Sequence, residues 1–415
     1  MAIIKPFKAL RPLKENAHLV ASVPYDVVNR DEAAQFAAGN PLSYLHITRS
    51  EIDLPDVKDV YTKEVYLKAK ENLGKIIEQA PLSTDLQPHF YLYRLIMDGR
   101  SQTGICATFS VDDYDNNIIL KHEKTRKVKE DDRTNHIITT QAQTGIVFLT
   151  YRGVQSVNDI INKTISEVSP EYDFTAPDGI KHTVWVLPDV YNDLIINAFT
   201  SVDKLYIADG HHRAKSASRA REEMMKLNPN HNGSEDYNYF IAVLFPADQL
   251  KILPYNRVVF DLNGLSKADF LDAISQKFVV TKTTEKTPQT KKSFCMYLDK
   301  EWFLLKPRDA VFASLSLEKS VGEKLDVSIL QNFLLNPVLD IDDPRTNTRI
   351  DFIGGIRGTA ELEKLVDSGK AVVAFSLYPV GLDDLMNISD AGEVMPPKST
   401  WFEPKLRDGL LTHLI

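Results

Sequence analysis

Leu205-Tyr206-Ile207-Ala208-Asp209-Gly210-His211-His212-Arg213-Ala214-Lys215 passes directly from an apolar run into a helix-forming one. Leu205 to Ala208 reads as a short buried strand, and His212 to Leu227, rich in Ala, Lys, Arg, Glu and Met, predicts a helix. Gly210 at the hinge allows close approach. A helix N-terminus presents free amides and about half a positive charge, so such a turn suits a phosphate. His211, His212 and Arg213 add donors there, and a guanidinium can hold a phosphate through two parallel bonds. Asp209, ending the strand, could hold Mg²⁺ or orient a hydroxyl. Taken singly, each residue has an ordinary structural use: Asp209 as a cap, the histidines on backbone carbonyls, Arg213 on a surface carboxylate. Five in succession at this junction point instead to a ligand. Zinc suits the turn less well, because adjacent histidines at a helix start point in different directions.

Outward from the turn the order is mixed α and β. Phe90–Met97 and Thr103–Val111 flank Asp98-Gly99-Arg100, a hairpin signal, because Asp-Gly supplies the positive φ of a tight turn. Ile146–Tyr151, Thr183–Leu187 and Tyr239–Phe245 read as further strands, with helices after Val154 and near Asp189. Toward the N-terminus an extended segment ends at Pro24-Tyr25-Asp26-Val27-Val28, Asn29 caps a short helix, and residues 57–79 have helical spacing. Beyond residue 260 come a helix over 267–278, a hairpin through Asp299-Lys300, and a tail of alternating helix and strand. The expected divisions are 1–88, 89–260, 261–320 and 321–415.

At 415 residues the chain has room for two or three packed units, and its 43% apolar and 26% charged residues are those of an ordinary globular protein. A net charge of −8 argues against a duplex phosphate backbone as main ligand. Cys106 and Cys295 lie in apolar runs, which predicts buried hydrophobes rather than a disulfide framework. The start carries no charged-then-apolar leader and no apolar run approaches membrane-spanning length, so a cytoplasmic protein without membrane contact is expected.

Two further clusters stand out. His122-Glu123-Lys124-Thr125-Arg126-Lys127, followed by Asp131, Asp132 and Arg133, is by itself an ordinary solvated charge run. Met395-Pro396-Pro397-Lys398-Ser399-Thr400 offers a cation and two hydroxyls on a stiffened loop, with Lys405 close by, and Arg257 is another candidate cation.

With Pro24–Val28, Asn40-Pro41-Leu42-Ser43-Tyr44-Leu45-His46, His122–Thr125, Asp209–Arg213, Ile252-Leu253-Pro254 and Met395–Thr400 in order, the chain resembles the bacterial domain-of-unknown-function family numbered 1015. More narrowly, His122-Glu123 with Asp209–Arg213 is similar to the free-serine kinases of the ParB/sulfiredoxin-like superfamily. That resemblance implies an α+β fold, a mixed sheet with a ParB/sulfiredoxin-like nucleotide-binding core and additional α+β units. It implies Glu123 as general base, Asp209 near metal or substrate, and His211, His212 and Arg213 on phosphate; His211 is also a candidate catalytic residue, and Gly210, Lys127 and Arg133 are further candidates for phosphate. Asn40, Ser43, Lys398, Ser399 and Thr400 are the candidates for the acceptor, and Tyr25 and Asp26 for the same cleft. The 85-odd residues between the motifs exceed a minimal core, and no cysteine accompanies them, which removes sulfiredoxin chemistry.

The expectation is a small-molecule phosphotransferase that uses ATP or ADP with Mg²⁺ on L-serine or a similar metabolite. Its partners are then a nucleotide and a small substrate, with a homodimer allowed for and nucleic acid disfavoured. A nucleotide-sensing regulator and a metal-dependent phosphohydrolase remain as alternatives.

Overall fold

The computed structural model describes residues 2–315 and 319–415. The chain forms two units: one runs to Leu250 and resumes at Pro404–Ile415, and the other is Lys251–Glu403.

In the first unit, among the described residues, a nine-stranded sheet runs in the order Ile119–Leu120, Leu205–Asp209, Val147–Tyr151, Tyr239–Pro246, Arg100–Ser110, Tyr91–Met97, Lys181–Val186 and Tyr172–Thr175, with Ile4–Lys5 pairing beside Arg100–Ser110. The sheet is mixed. Val147–Tyr151 is parallel to Tyr239–Pro246, and Leu205–Asp209 to Ile119–Leu120, while the other pairings are antiparallel. Ile105, Phe109, Leu149, Ile207, Phe240 and Leu244 on one face bury against Val157, Ile160, Ile195, Phe199, Ala214 and Ala217 from the helices Gln155–Glu167, Asn192–Phe199 and His211–Leu227. A burial of this kind contributes roughly 25 cal/mol per Å² of apolar surface. The helix Lys127–Thr140 packs between His211–Leu227 and Lys63–Gln79.

The expected α+β class with a mixed sheet holds, and so do its local signals. Met97 pairs with Arg100 across Asp98 and Gly99, whose φ values of 50° and 75° are those of a two-residue turn. Asn29 accepts from the Glu32 amide while the Glu32 side chain accepts from the Asn29 amide, a capping box.

Three local expectations are corrected. Tyr25–Val28 is turned rather than extended, with the Val27 amide donating to the Pro24 carbonyl at 3.2 Å. The helix expected over 57–79 begins only at Lys63, because Asp59 Oδ1 takes the Tyr61 amide at 2.9 Å and competes with helical pairing. The charged run, expected to be solvated, instead enters a helix at Lys127, where Arg219 pairs with Glu130 and Asp131 and draws the run onto the neighbouring helix.

The second unit holds a six-stranded antiparallel sheet, ordered Phe278–Thr283, Glu301–Pro307, Phe294–Leu298, Val373–Leu377, Tyr255–Val259 and Ile350–Gly354. Asp299 and Lys300 turn its hairpin with positive φ, as expected. The stretch Asp326–Leu339 is helical throughout but widens to a π-helix over Gln331–Leu335. Cys106 and Cys295 are buried and unbridged. No helix among the described residues is long and apolar enough to cross a membrane.

Candidate functional site

The site forms where the strand Leu205–Asp209 meets the helix His211–Leu227. The strand's pairing with Val147–Tyr151 is irregular between Ile207 and Asp209, which swings the Asp209 carboxylate out of the ladder. Gly210 then takes φ +91°, a left-handed conformation in which a Cβ is strained, and a Cβ there would also lie 3.4 Å from the Val147 Cα. Ala214 makes the first helical bond, to the Gly210 carbonyl, and no side chain caps the helix start. The amides of His211, His212 and Arg213 therefore precede the helical ladder and point at the turn.

Asp209 accepts from its neighbour's Gly210 amide at 2.9 Å and from Lys405 Nζ at 3.0 Å. Burial alone would push this carboxyl up, but Lys405 and Arg213 outweigh it and hold Asp209 well below the usual carboxylate range. It is an anion at neutral pH.

His211 is buried and its Nε2 accepts the His122 amide at 3.4 Å, which assigns the ring proton to Nδ1. That nitrogen faces Glu123 Oε2 at 3.9 Å, and Glu123 is 44% exposed. The His122 ring meets the His211 ring edge-on at 4.4 Å. Burial lowers both histidines, His122 to about 4 and His211 well below its usual value, so both are neutral. At 3.9 Å the neutral imidazole stands beside the exposed carboxylate, beyond hydrogen-bond distance of it. His212, half-buried, accepts the Arg126 amide at 3.0 Å and ties the helix start to the loop before Lys127.

Arg213 is placed differently from a surface phosphate donor. It is buried, its Nη1 donates to the Ile146 carbonyl at 2.7 Å, and its Nη2 donates to both Asp26 oxygens at 2.7 and 2.8 Å. Arg133 pairs with the adjacent Asp132, donates to the Thr48 carbonyl at 3.3 Å, and lies over the Tyr25 ring at 4.3 Å, with Arg213 at 5.7 Å from the same ring. Tyr25, Arg133, His136, Gly145 and Arg213 line a small cavity of about 20 Å³, room for about one water.

The structure thus brings together Glu123, Asp209, Gly210, His211, His212 and Arg213, adds Asp26, and places Arg133 behind them. Lys127 is exposed in the first turn of its helix. Asn40 and Ser43 hold their own segment: the Asn40 amide donates to the Leu19 carbonyl at 2.7 Å, and the Ser43 hydroxyl meets Ser22 Oγ at 3.1 Å. Lys398, Ser399 and Thr400 belong to the second unit. There Ser399 Oγ donates to the Pro396 carbonyl at 2.6 Å, and Lys398 Nζ reaches Tyr255 Oη at 3.4 Å.

Lys405 as the counter-ion of Asp209, and Asp408, were not singled out for these roles by the sequence. Asp408 is 1% exposed, accepts the Ile146 amide at 3.4 Å, and is pushed by burial up to about 7. The available signal was three charges, Lys405, Arg407 and Asp408, interleaved with Leu406, Leu410 and Leu411 near the C-terminus.

The residues do not build a resident Mg²⁺ site. Both oxygens of Asp209 are taken, one by an ammonium, and among the described residues no three His, Cys, Asp or Glu side chains converge as ligands.

A family model described as "Protein of unknown function (DUF1015)" matches residues 4–328. No curated protein matches the chain. Among solved structures, a mutant free serine kinase in complex with AMP is 11% identical with a TM-score of 0.37, over 73% of this chain and 91% of that one. A conserved hypothetical protein from Pyrococcus furiosus is 13% identical at 0.36, over 74% and 94% of the two chains. SbnI with a C-terminal truncation, from Staphylococcus aureus, is 13% identical at 0.36, over 73% and 85%.

Proposed function

The chain belongs to the DUF1015 family, and because that designation names no activity, we propose from the turn itself that this is a phosphotransferase moving a nucleotide's terminal phosphoryl to a small hydroxyl compound. The observation that carries the reading is the pairing of an uncapped helix start, with three amides ahead of the ladder, and an exposed Glu123 side chain 3.9 Å from neutral His211. Phosphoryl transfer needs little more than positioning, charge neutralisation and a base on the acceptor.

The nucleotide's phosphates would sit against the amides of His211, His212 and Arg213 and the His212 ring. Glu123 would take the proton from the acceptor hydroxyl as its oxygen bonds to the terminal phosphorus, while the bond from that phosphorus to the rest of the nucleotide breaks. Arg213 would serve as a positioning residue, holding the loop at Asp26 against the turn. Its geometry supports that role over direct phosphate contact, since Ile146 and Asp26 engage it. The likeness of the His122-Glu123 and Asp209–Arg213 motifs to those of free-serine kinases makes L-serine the first acceptor to try, with ATP or ADP as donor.

The test is a coupled assay of purified protein with ATP or ADP, Mg²⁺ in the buffer, and a panel of hydroxyl metabolites led by L-serine. Acceptor-dependent nucleotide consumption, lost in Glu123→Gln and His211→Ala, is expected. Nucleotide binding without turnover on any acceptor would replace the reading with that of a sensor.

A further inference from the structure

Arg257 lies in the strand Tyr255–Val259 of the second unit and is 4% exposed. Its Nη1 donates to the Tyr255 carbonyl and its Nη2 to the Lys398 carbonyl at 3.2 Å, and its guanidinium lies 5.2 Å from the Phe352 ring centroid. Those two bonds use two of five N–H groups. Among the described residues no carboxylate pairs with it, whereas the other buried arginines, Arg213 and Arg407, each have an aspartate. Burial pushes this guanidinium down to about 10, opposed only by Tyr255. A buried cation without a counter-charge is costly, and a protein that keeps one has a use for it.

The side chain lines a cavity of about 120 Å³, walled by Val327, Pro344, Pro396 and Pro397, with Ser328, Gln331 and Asn332 completing it. A dry cavity of about 150 Å³ accepts benzene, so this one has room for a molecule of a few heavy atoms. Ser328 and Gln331 donate inward, to the carbonyls of Gly322 at 2.6 Å and Ile341 at 2.6 Å. Asn332 is exposed and its side chain, among the described residues, makes no hydrogen bond, which leaves its side-chain amide as a second donor to the cavity. Gln331 and Asn332 both fall in the π-helix Gln331–Leu335, a widening that recurs at functional sites and here sets these amides beside Arg257.

We propose that this cavity binds a small monoanionic carboxylate, with Arg257 as its counter-charge, Asn332 as a second donor and the proline wall against its apolar part. A single guanidinium neutralises one negative charge, and the fork matches a carboxylate. A phosphate dianion would leave one charge against proline and valine. This site does not rest on the phosphotransferase reading and can be tested when no turnover is found.

The experiment titrates the full chain with sodium propionate at constant ionic strength, chloride being replaced, followed by calorimetry and by thermal unfolding. Inorganic phosphate forms the second arm. Arg257→Met and Asn332→Asp are run alongside. One saturable propionate site per chain is expected, with a melting temperature that rises with propionate in the wild type and does not respond in Arg257→Met. Asn332→Asp, which sets a like charge against the ligand from an exposed position, should bind at least about tenfold more weakly while keeping the wild-type melting temperature without ligand. If Arg257→Met does not fold, Asn332→Asp decides alone. Unsaturable binding, equal affinity in wild type and Asn332→Asp, or tighter binding of phosphate than of propionate would each overturn the proposal.

Discussion

Glu123 stands 3.9 Å from a neutral His211, and the proposed chemistry turns on that carboxylate. Replacing it by Gln keeps the shape and removes the base, so kcat should fall by roughly 10²- to 10⁴-fold, the usual worth of general-base catalysis, in steady-state assays. Asp408 makes a separate prediction. Its folded pKa of about 7 lies above the ordinary carboxyl value, so the folded chain keeps a proton that the unfolded chain releases. That contribution is fully present below about pH 4 and is lost as pH rises to about 7. The melting temperature of Asp408→Asn relative to wild type should therefore climb between about pH 4 and pH 7 and level off above, while a flat difference across that range would place the Asp408 carboxyl in the ordinary range.

At the scale of elements, the turn and the two hairpins were legible because each depends on neighbouring residues: Asp98-Gly99, Asp299-Lys300 and Asp209-Gly210 all turn where the sequence places them. The start of the helix Lys63–Gln79 was not, since a side chain four residues upstream captures an amide. Least legible were the pairs that complete the site. Asp26 and Arg213 stand 187 positions apart and Lys405 and Asp209 stand 196 apart, and no local pattern records which distant charge a folded chain brings home. Gly210→Ala tests the turn. Forcing a Cβ into φ +91° should cost about 1–2 kcal/mol in urea unfolding and weaken nucleotide binding, because the helix amides shift with it. Unchanged stability would mean that the turn relaxes freely.

Across the whole molecule, burial keeps His122, His136 and His182 neutral, with pKa values lowered to about 4, 3 and 3. The unfolded chain takes up protons on these groups below about pH 6.5 that the folded chain refuses, so their contribution is present above that pH and is lost as pH falls toward 4. Asp408 and His46 are raised and act in the opposite sense. The balance predicts a melting temperature several degrees lower at pH 5 than at pH 7.5 (about 2–8 °C for each kcal/mol lost). The chain's return to the first unit at Pro404–Ile415 supplies Lys405, Asp408 and the strand Thr412–Leu414, which pairs with Ala9–Arg11 and Ala142–Gln143. Truncation after Glu403 should thus loosen the first unit, read as faster proteolysis of fragments from residues 2–250. Protease resistance equal to the full chain would show that the return strand adds little.

The most direct measurement compares nucleotide affinity with acceptor-dependent turnover in wild type and Glu123→Gln. A phosphotransferase of the proposed kind gives nucleotide affinities within about threefold of each other and turnover on a hydroxyl acceptor in the wild type alone. Equal turnover in both proteins, or equal binding with none in either, contradicts it.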